Sequence, residues 1–149
     1  MIAMVENEAF NGVINKNPFH FQNFNLSKIA LYRDGRSIPG QPLTPDFAKG
    51  NTLRSYVQTM RVFNFVNTDD TNGMKPFDFK NGYTIYAYDL TADKDIAAGY
   101  RQGLVSKNLR LELFFAKDLP STINVLMYAV FDSSIEITQL RDVITHYTR

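Results

Sequence analysis

The sequence predicts a mainly β fold, an antiparallel sandwich or jelly roll with one inserted helix at about residues 51–63. Several short segments alternate apolar and polar residues with the period of two that is typical of strands, and turn-forming residues separate them. Only one segment has strong helical periodicity. Strands and helices do not alternate regularly, which argues against a parallel α/β sheet.

The N-terminal half begins with an apolar strand at residues 2–5, followed by an Asn-rich loop at residues 11–25. Residues 26–33 alternate and predict a strand, which Asp34 and Gly35 end with a hairpin turn. The prolines of residues 38–45 cannot donate backbone hydrogen bonds. We therefore expect that segment at a sheet edge or outside the sheet.

The predicted helix at residues 51–63 rests on apolar residues at helical spacing. Its stripe consists of Leu53, Tyr56, Val57 and Met60. An earlier helix start is indicated at Thr44, with Pro45 at the first helical position, and Gly50 interrupts it. Residues 76–80 predict one further helical turn, which Asn81 and Gly82 stop.

The C-terminal half predicts strands at residues 83–90 and 109–115, each half-buried. Residues 123–131 are apolar on both faces and predict a strand covered on two sides. Residues 135–137 either pair with that strand in a hairpin or continue it across a bulge. Residues 139–149 fit a helix and a strand equally well.

Length and composition fit one domain spanning residues 1–149. A chain of this length, with 44% hydrophobic residues, 12 Phe and 8 Tyr, can bury one core without covalent links. It has no Cys, which excludes disulfides and thiolate metal ligands. An acidic start and the lack of a long apolar run predict a soluble, intracellular protein that is neither secreted nor in a membrane.

The sequence predicts a protein that is not an enzyme, with no metal and no cofactor. His20 and His146 lack metal-site spacing, and residues 68–73 fail the calcium-loop pattern. Asp93 or Asp95 could pair with Glu112 in space, but scattered surface charge is the simpler interpretation. Sixteen basic and fifteen acidic residues are interspersed, so we expect no direct nucleic-acid binding.

The candidate functional residues are Phe19, Phe21 and Phe24, which lie in the loop at residues 11–25. We call this segment the aromatic loop. Aromatic side chains in a loop either fill their own core or anchor a partner. Core filling is the favoured reading, and an interface is the alternative.

Several segments, in this order, resemble a mostly uncharacterised family found in invertebrate genomes. They are NPFHFQNFN at 17–25, IPGQP at 38–42, PDFAKGN at 45–51, GYTIYAYDLT at 82–91, NLRLEL at 108–113, LP at 119–120 and VLMYAVFD at 125–132. That family is similar to the double jelly-roll major capsid proteins of Polinton or Maverick elements and adintoviruses. The resemblance implies the second, C-terminal jelly roll of a two-domain capsid subunit.

By the same resemblance, the chain is a structural protein of a virion whose partners are other copies, as a homotrimer or a capsid lattice. Members of the family are much longer, so the first strands of this jelly roll would precede Met1. We therefore expect a fragment that lacks those strands and its N-terminal jelly roll. The unpaired edge and uncovered apolar face left behind would favour association.

One alternative function needs no capsid. A non-catalytic sandwich could present loops such as residues 11–25 to a protein or carbohydrate partner. An enzyme is the least favoured class, because no polar residues occur at a recognisable catalytic spacing.

Overall fold

A computed structural model describes residues 1–66, 68–69, 73–90, 108–130, 134–138 and 141–146. The strands are β1 (Ile2–Glu6), β2 (Leu26–Arg33), β3 (Arg36–Leu43), β4 (Ile85–Tyr86), β5 (Leu109–Phe115), β6 (Ile123–Met127), β7 (Ser134–Ile137) and β8 (Val143–His146). The helices are α1 (Asn7–Phe10), α2 (Leu53–Val62) and α3 (Pro76–Lys80).

Two three-stranded antiparallel sheets contain most of these strands. The first sheet has the order β4-β1-β6 and the second has the order β3-β2-β5. β7 and β8 pair with each other as a separate two-stranded sheet. The predicted mainly β class is confirmed, and the prediction that residues 135–137 pair with the preceding strand is wrong.

One hydrophobic cluster joins the two sheets. Its buried members are Ile2, Met4, Phe24, Leu26, Ile29, Leu43, Phe79 and Tyr86. Phe79, on α3, is fully buried and meets the rings of Tyr56 and Tyr86 edge to face, at centroid distances of 6.1 and 5.8 Å. A short helix therefore supplies a central core residue.

The hairpin of β2 and β3 matches its prediction. Asp34 and Gly35 both have positive φ, 51° and 80°, as a type I′ turn requires. Among the described strands β3 pairs with β2 alone, so Pro39 and Pro42 lie on an edge strand, as predicted.

The outward face of the second sheet carries complementary polar and aromatic pairs. Lys28 lies over the ring of Phe114 and 3.9 Å from the carboxylate of Glu112. Arg110 contacts Glu112 at 3.0 Å and lies over the ring of Tyr32. These contacts explain why β2 and β5 alternate so regularly, because the opposite face packs on the core.

α2 confirms the predicted helix, but its buried face differs. Of the predicted stripe, Met60 is buried and Leu53 is exposed, whereas Ser55 and Thr59 lie outside the stripe and are buried. Thr59 Oγ1 donates a hydrogen bond to the carbonyl of Ile85 at 2.8 Å, which makes its burial inexpensive. The helix therefore packs against β4 a hydroxyl that the apolar stripe did not include.

The helix start predicted at Thr44 is wrong. Residues 47–50 form turns, and Asp46 and Asn51 bridge their backbones in antiparallel fashion, with N–H to O distances of 3.1 and 2.8 Å. Asp46 Oδ1 accepts a hydrogen bond from the N–H of Lys49. The acid therefore closes a loop instead of capping a helix.

The segments predicted as strands in the C-terminal half are confirmed to different extents. β5 has the predicted bounds, but the strand predicted at residues 83–90 contains only β4. Thr84 instead turns its hydroxyl to the carbonyl of Phe79 at 2.7 Å. Of the ambiguous tail, residues 143–146 form β8, and residues 139–140 and 147–149 lie outside the described residues.

Gly82 is required by geometry. Its φ is +98°, and a Cβ there would overlap the His20 imidazole. We expect Gly82→Ala to lower the free energy of unfolding by about 1–3 kcal/mol, measured by urea denaturation. Gly40→Ala is the matched control, because no atom lies within 4 Å of the added Cβ. Equal loss in both variants would contradict this account.

Candidate interaction surface

The polar residues within the described ranges do not assemble a site with evident chemistry. No group of three or more His, Cys, Asp or Glu residues among them could hold a metal ion. Glu112 is held by Arg110 and Lys28, while Asp93 and Asp95 lie outside the described residues. Positions 70–72 of the rejected calcium loop also lie outside them. None of the described helices is both long and apolar enough to cross a membrane.

Two tyrosine hydroxyl groups are buried in the core. The hydroxyls of Tyr86 and Tyr88 have no hydrogen-bond partner within the described part of the chain. Burial raises the pKa of both groups. A phenol is uncharged at physiological pH even without this shift, and both residues act as core side chains.

Ion pairs and a hydrogen bond hold the aromatic loop against the end of β1. Lys16 Nζ lies 2.7 Å from a Glu6 carboxylate oxygen and 2.8 Å from a Glu8 carboxylate oxygen. Gln22 Nε2 donates to the other oxygen of Glu6 at 3.2 Å. The hydrogen bond from Lys16 is the main cause that lowers the pKa of the Glu6 carboxyl. The loop therefore has a defined path past the first sheet.

The structure separates the three candidate aromatics. Phe24 is buried in the core cluster, with a φ of 45°. Phe21 is half-buried; its N–H donates to Gly82 O at 2.8 Å, and its carbonyl accepts from the Thr84 N–H at 3.0 Å. Phe19 is 72% exposed. Burial favours core filling for Phe24, and an interface role stays a prediction that suits Phe19 best.

Phe21→Ser tests the role of Phe21, which is less buried than Phe24 and less exposed than Phe19. Because the backbone of Phe21 is anchored on both sides, we expect the variant to fold, with stability lowered by about 1–3 kcal/mol from lost burial. Thermal melting and light scattering measure fold and mass together. A folded variant of smaller mass would assign Phe21 to an interface, and loss of the folded signal would assign it to the core.

The clearest candidate surface lies on β6. Register pairs Met4 with Val125 and Ile2 with Met127, and directly opposed side chains of an antiparallel pair point to the same face. Ile2 and Met4 are buried in the core cluster, yet Val125 is 43% exposed and Met127 is 56% exposed. Two side chains on the core side of the sheet thus remain uncovered. We call Val125 and Met127 the β6 face.

This exposure corrects the predicted two-sided cover of residues 123–131. β6 ends at Met127, and Tyr128 and Val130 beyond it are exposed, while Phe131 lies outside the described residues. Both faces of this segment do carry apolar residues. This apolar character does not report burial within this chain, because β6 is the outermost of the strands that the structure describes in its sheet.

The open edge of β6 also presents backbone groups. The Met1 ammonium donates a hydrogen bond to the Tyr128 carbonyl at 2.7 Å, and the Tyr128 N–H donates to the Met1 carbonyl at 2.9 Å. The backbone polar groups of Tyr128 therefore point toward β1. Because N–H and C=O directions alternate along an antiparallel strand, those of Ile123, Val125 and Met127 point away from β1. Burial lowers the pKa of the Met1 ammonium at this junction.

The other outer strands of the two sheets have features that hinder pairing with a further strand, and β6 lacks these features. β3 has two prolines, β5 has Arg110 and Glu112, and β4 is two residues long. No charged residue occurs between Asp118 and Asp132. Charges and prolines are the usual means of blocking edge pairing. The uncharged stretch is therefore the sequence signal for an unprotected edge strand, and the prediction from the sequence did not use it.

Comparison with known proteins gives one relative and no function. The chain is 27% identical over 147 residues to the Caenorhabditis elegans protein named "Uncharacterized protein F54H12.2". The match covers 95% of this chain and 34% of the relative, so the chain spans about a third of the curated relative's length. No protein-family model matches the chain. No solved structure matches it either.

Proposed function

We propose that the chain is a structural protein, the C-terminal jelly-roll portion of a viral or virus-like-element major capsid subunit, and that it works by self-assembly without catalysis. The observation that carries this proposal is the β6 face. Apolar side chains on the core side of an edge strand are stabilised when another strand or subunit covers them. An assembly subunit meets that requirement.

The jelly-roll assignment extends the observed architecture. Two three-stranded antiparallel sheets around one core supply fewer strands than the eight or so of a jelly roll. The jelly-roll topology is therefore part of the proposal, while the observed fold is mainly β with two antiparallel three-stranded sheets.

The proposed partners are other copies of the chain, as a homotrimer or in a capsid lattice, and an N-terminal jelly roll. The relative is much longer than the segment that matches, which leaves room for such a domain in a full-length protein. The proposed location is the virion. The fold analogy supplies the capsid role, and the β6 face supplies the physical reason for association.

A second candidate function rests on the loops. Ile14 is 98% exposed and Phe19 is 72% exposed, both in the aromatic loop. Exposed apolar side chains on an anchored loop suit a non-catalytic module that binds a protein or a carbohydrate. Such a module would work as a monomer.

Size-exclusion chromatography with light scattering separates the two candidates. We expect the purified chain to form trimers or larger discrete particles whose fraction rises with concentration. A chain that stays monomeric and folded at high concentration would contradict the assembly proposal. Specific, saturable binding of that monomer on a glycan array or in a pull-down would then support the binding module.

A further inference from the structure

We propose that β6 pairs antiparallel with β6 of a second copy across a two-fold axis at Val125, joining two first sheets into one continuous sheet. This inference rests on the proposed assembly function and names its contact. Two features of one uncharged strand carry it: a backbone edge that no described strand pairs with, and apolar side chains on the core side that stay exposed.

Backbone geometry limits the possible registers to those that set outward-pointing residues opposite each other, and a centre at Val125 uses the most of them within β6. The outward-pointing polar groups belong to Ile123, Val125 and Met127, which are evenly spaced about Val125. A two-fold axis there sets Val125 opposite Val125 of the second copy and Ile123 opposite Met127 of the second copy. Each such pair exchanges both of its hydrogen bonds. The described outward groups of β6 are then all satisfied without a change in β1 pairing.

Side chains favour the same register. Ile123, Val125 and Met127 share the core side of the first sheet, where Ile123 already packs against the core cluster. Pairing places Val125 beside its own counterpart and Met127 beside Ile123 of the second copy. The exposed part of the β6 face therefore becomes buried against apolar side chains of the second copy.

A second copy is the occupant that the charges favour. A strand that pairs with β6 places its side chains beside an uncharged segment. β6 of a second copy suits that position because it is itself uncharged. Within the five residues of β6, self-pairing about Val125 sets no charges opposite each other. β3 is a poor partner because its prolines cannot donate. In a shell of trimers, this two-fold contact would join neighbouring trimers.

Single-cysteine cross-linking tests the register, since the chain has no Cys. Cα atoms of an opposed hydrogen-bonded pair lie about 5.5 Å apart, within the disulfide range of about 4.4–6.8 Å. Under copper–phenanthroline oxidation, Val125→Cys should give a disulfide dimer as its main product. Ile123→Cys and Met127→Cys should cross-link when mixed, but neither alone should exceed the Phe114→Cys control on β5.

Uniform cross-linking at all four positions, or none at position 125, would overturn the pairing. Val125→Pro gives an independent test, because it removes an outward N–H and leaves the bonds to β1 intact. We expect it to fold, as checked by circular dichroism, and to lose at least half of the wild-type mass in light scattering. Val125→Thr keeps the N–H and the β-branch, and should keep that mass.

The outcomes separate this inference from the proposed function. A monomeric wild-type chain would overturn both. Wild-type assembly that survives Val125→Pro would overturn β6 pairing and leave assembly through another surface. Loss of mass in Val125→Pro together with the position-specific cross-links would support both.

Discussion

Phe79→Ala is expected to lower the free energy of unfolding by about 3–5 kcal/mol, the range typical of large aromatic truncations in a core. Phe79 is fully buried and contacts Tyr56 and Tyr86 edge to face, so truncation removes both ring contacts and leaves a cavity between the sheets. Domains are typically stable by about 5–15 kcal/mol. A domain at the low end of that range would be partly unfolded by the substitution, and a more stable one would unfold at a clearly lower urea concentration.

Urea denaturation followed by circular dichroism measures this effect, and Phe77→Ala is the matched control. Phe77 lies two residues earlier on α3 and is 72% exposed, so its truncation should change stability by less than about 0.5 kcal/mol. Similar midpoints for Phe79→Ala and the wild type would mean that α3 does not supply a core residue. Similar losses in both variants would point to helix disruption instead of a cavity.

Strand positions were predictable where one face of the strand meets the core and the other meets solvent. β2 and β5 have their predicted bounds because Leu111 and Leu113 pack on the core while Arg110 and Glu112 face outward. The period of two then records burial directly. Turn residues with positive φ, such as Gly35, set the strand ends.

Prediction failed where a polar side chain finds a partner in the interior. Thr59 and Thr84 are buried because their hydroxyls meet the carbonyls of Ile85 and Phe79. A hydrophobicity pattern assigns such residues to solvent and moves the apparent buried face of α2 toward Leu53. The partners lie 26 and 5 residues away in sequence, so local spacing alone does not reveal them.

The candidate surface was only partly predictable for a related reason. The sequence marked Phe19, Phe21 and Phe24 as one group, but the loop turns them to different environments. It marked residues 123–131 as apolar on both faces without showing that β6 is an edge strand. Edge position depends on sheet order, which comes from long-range pairing.

Met127→Lys is expected to weaken self-association by about 10- to 100-fold in dissociation constant. Burial of the exposed half of a Met side chain is worth about 1 kcal/mol, and each two-fold contact contains two copies of it. The replacement also places two ammonium groups at the contact, which must keep their hydration or lose it at further cost. A change of about 1.4 kcal/mol corresponds to a factor of ten.

Light scattering across a dilution series measures the change, and Phe77→Lys is the control because it adds the same charge to an exposed apolar position on α3. If both variants dissociate equally, net charge governs assembly, and higher salt should restore it in both. If only Met127→Lys dissociates and stays folded, the contact is local to the β6 face. Because Met127 lies on the core side of its sheet, that result would mean the core of one copy is completed by its neighbour, so that folding and assembly share one surface.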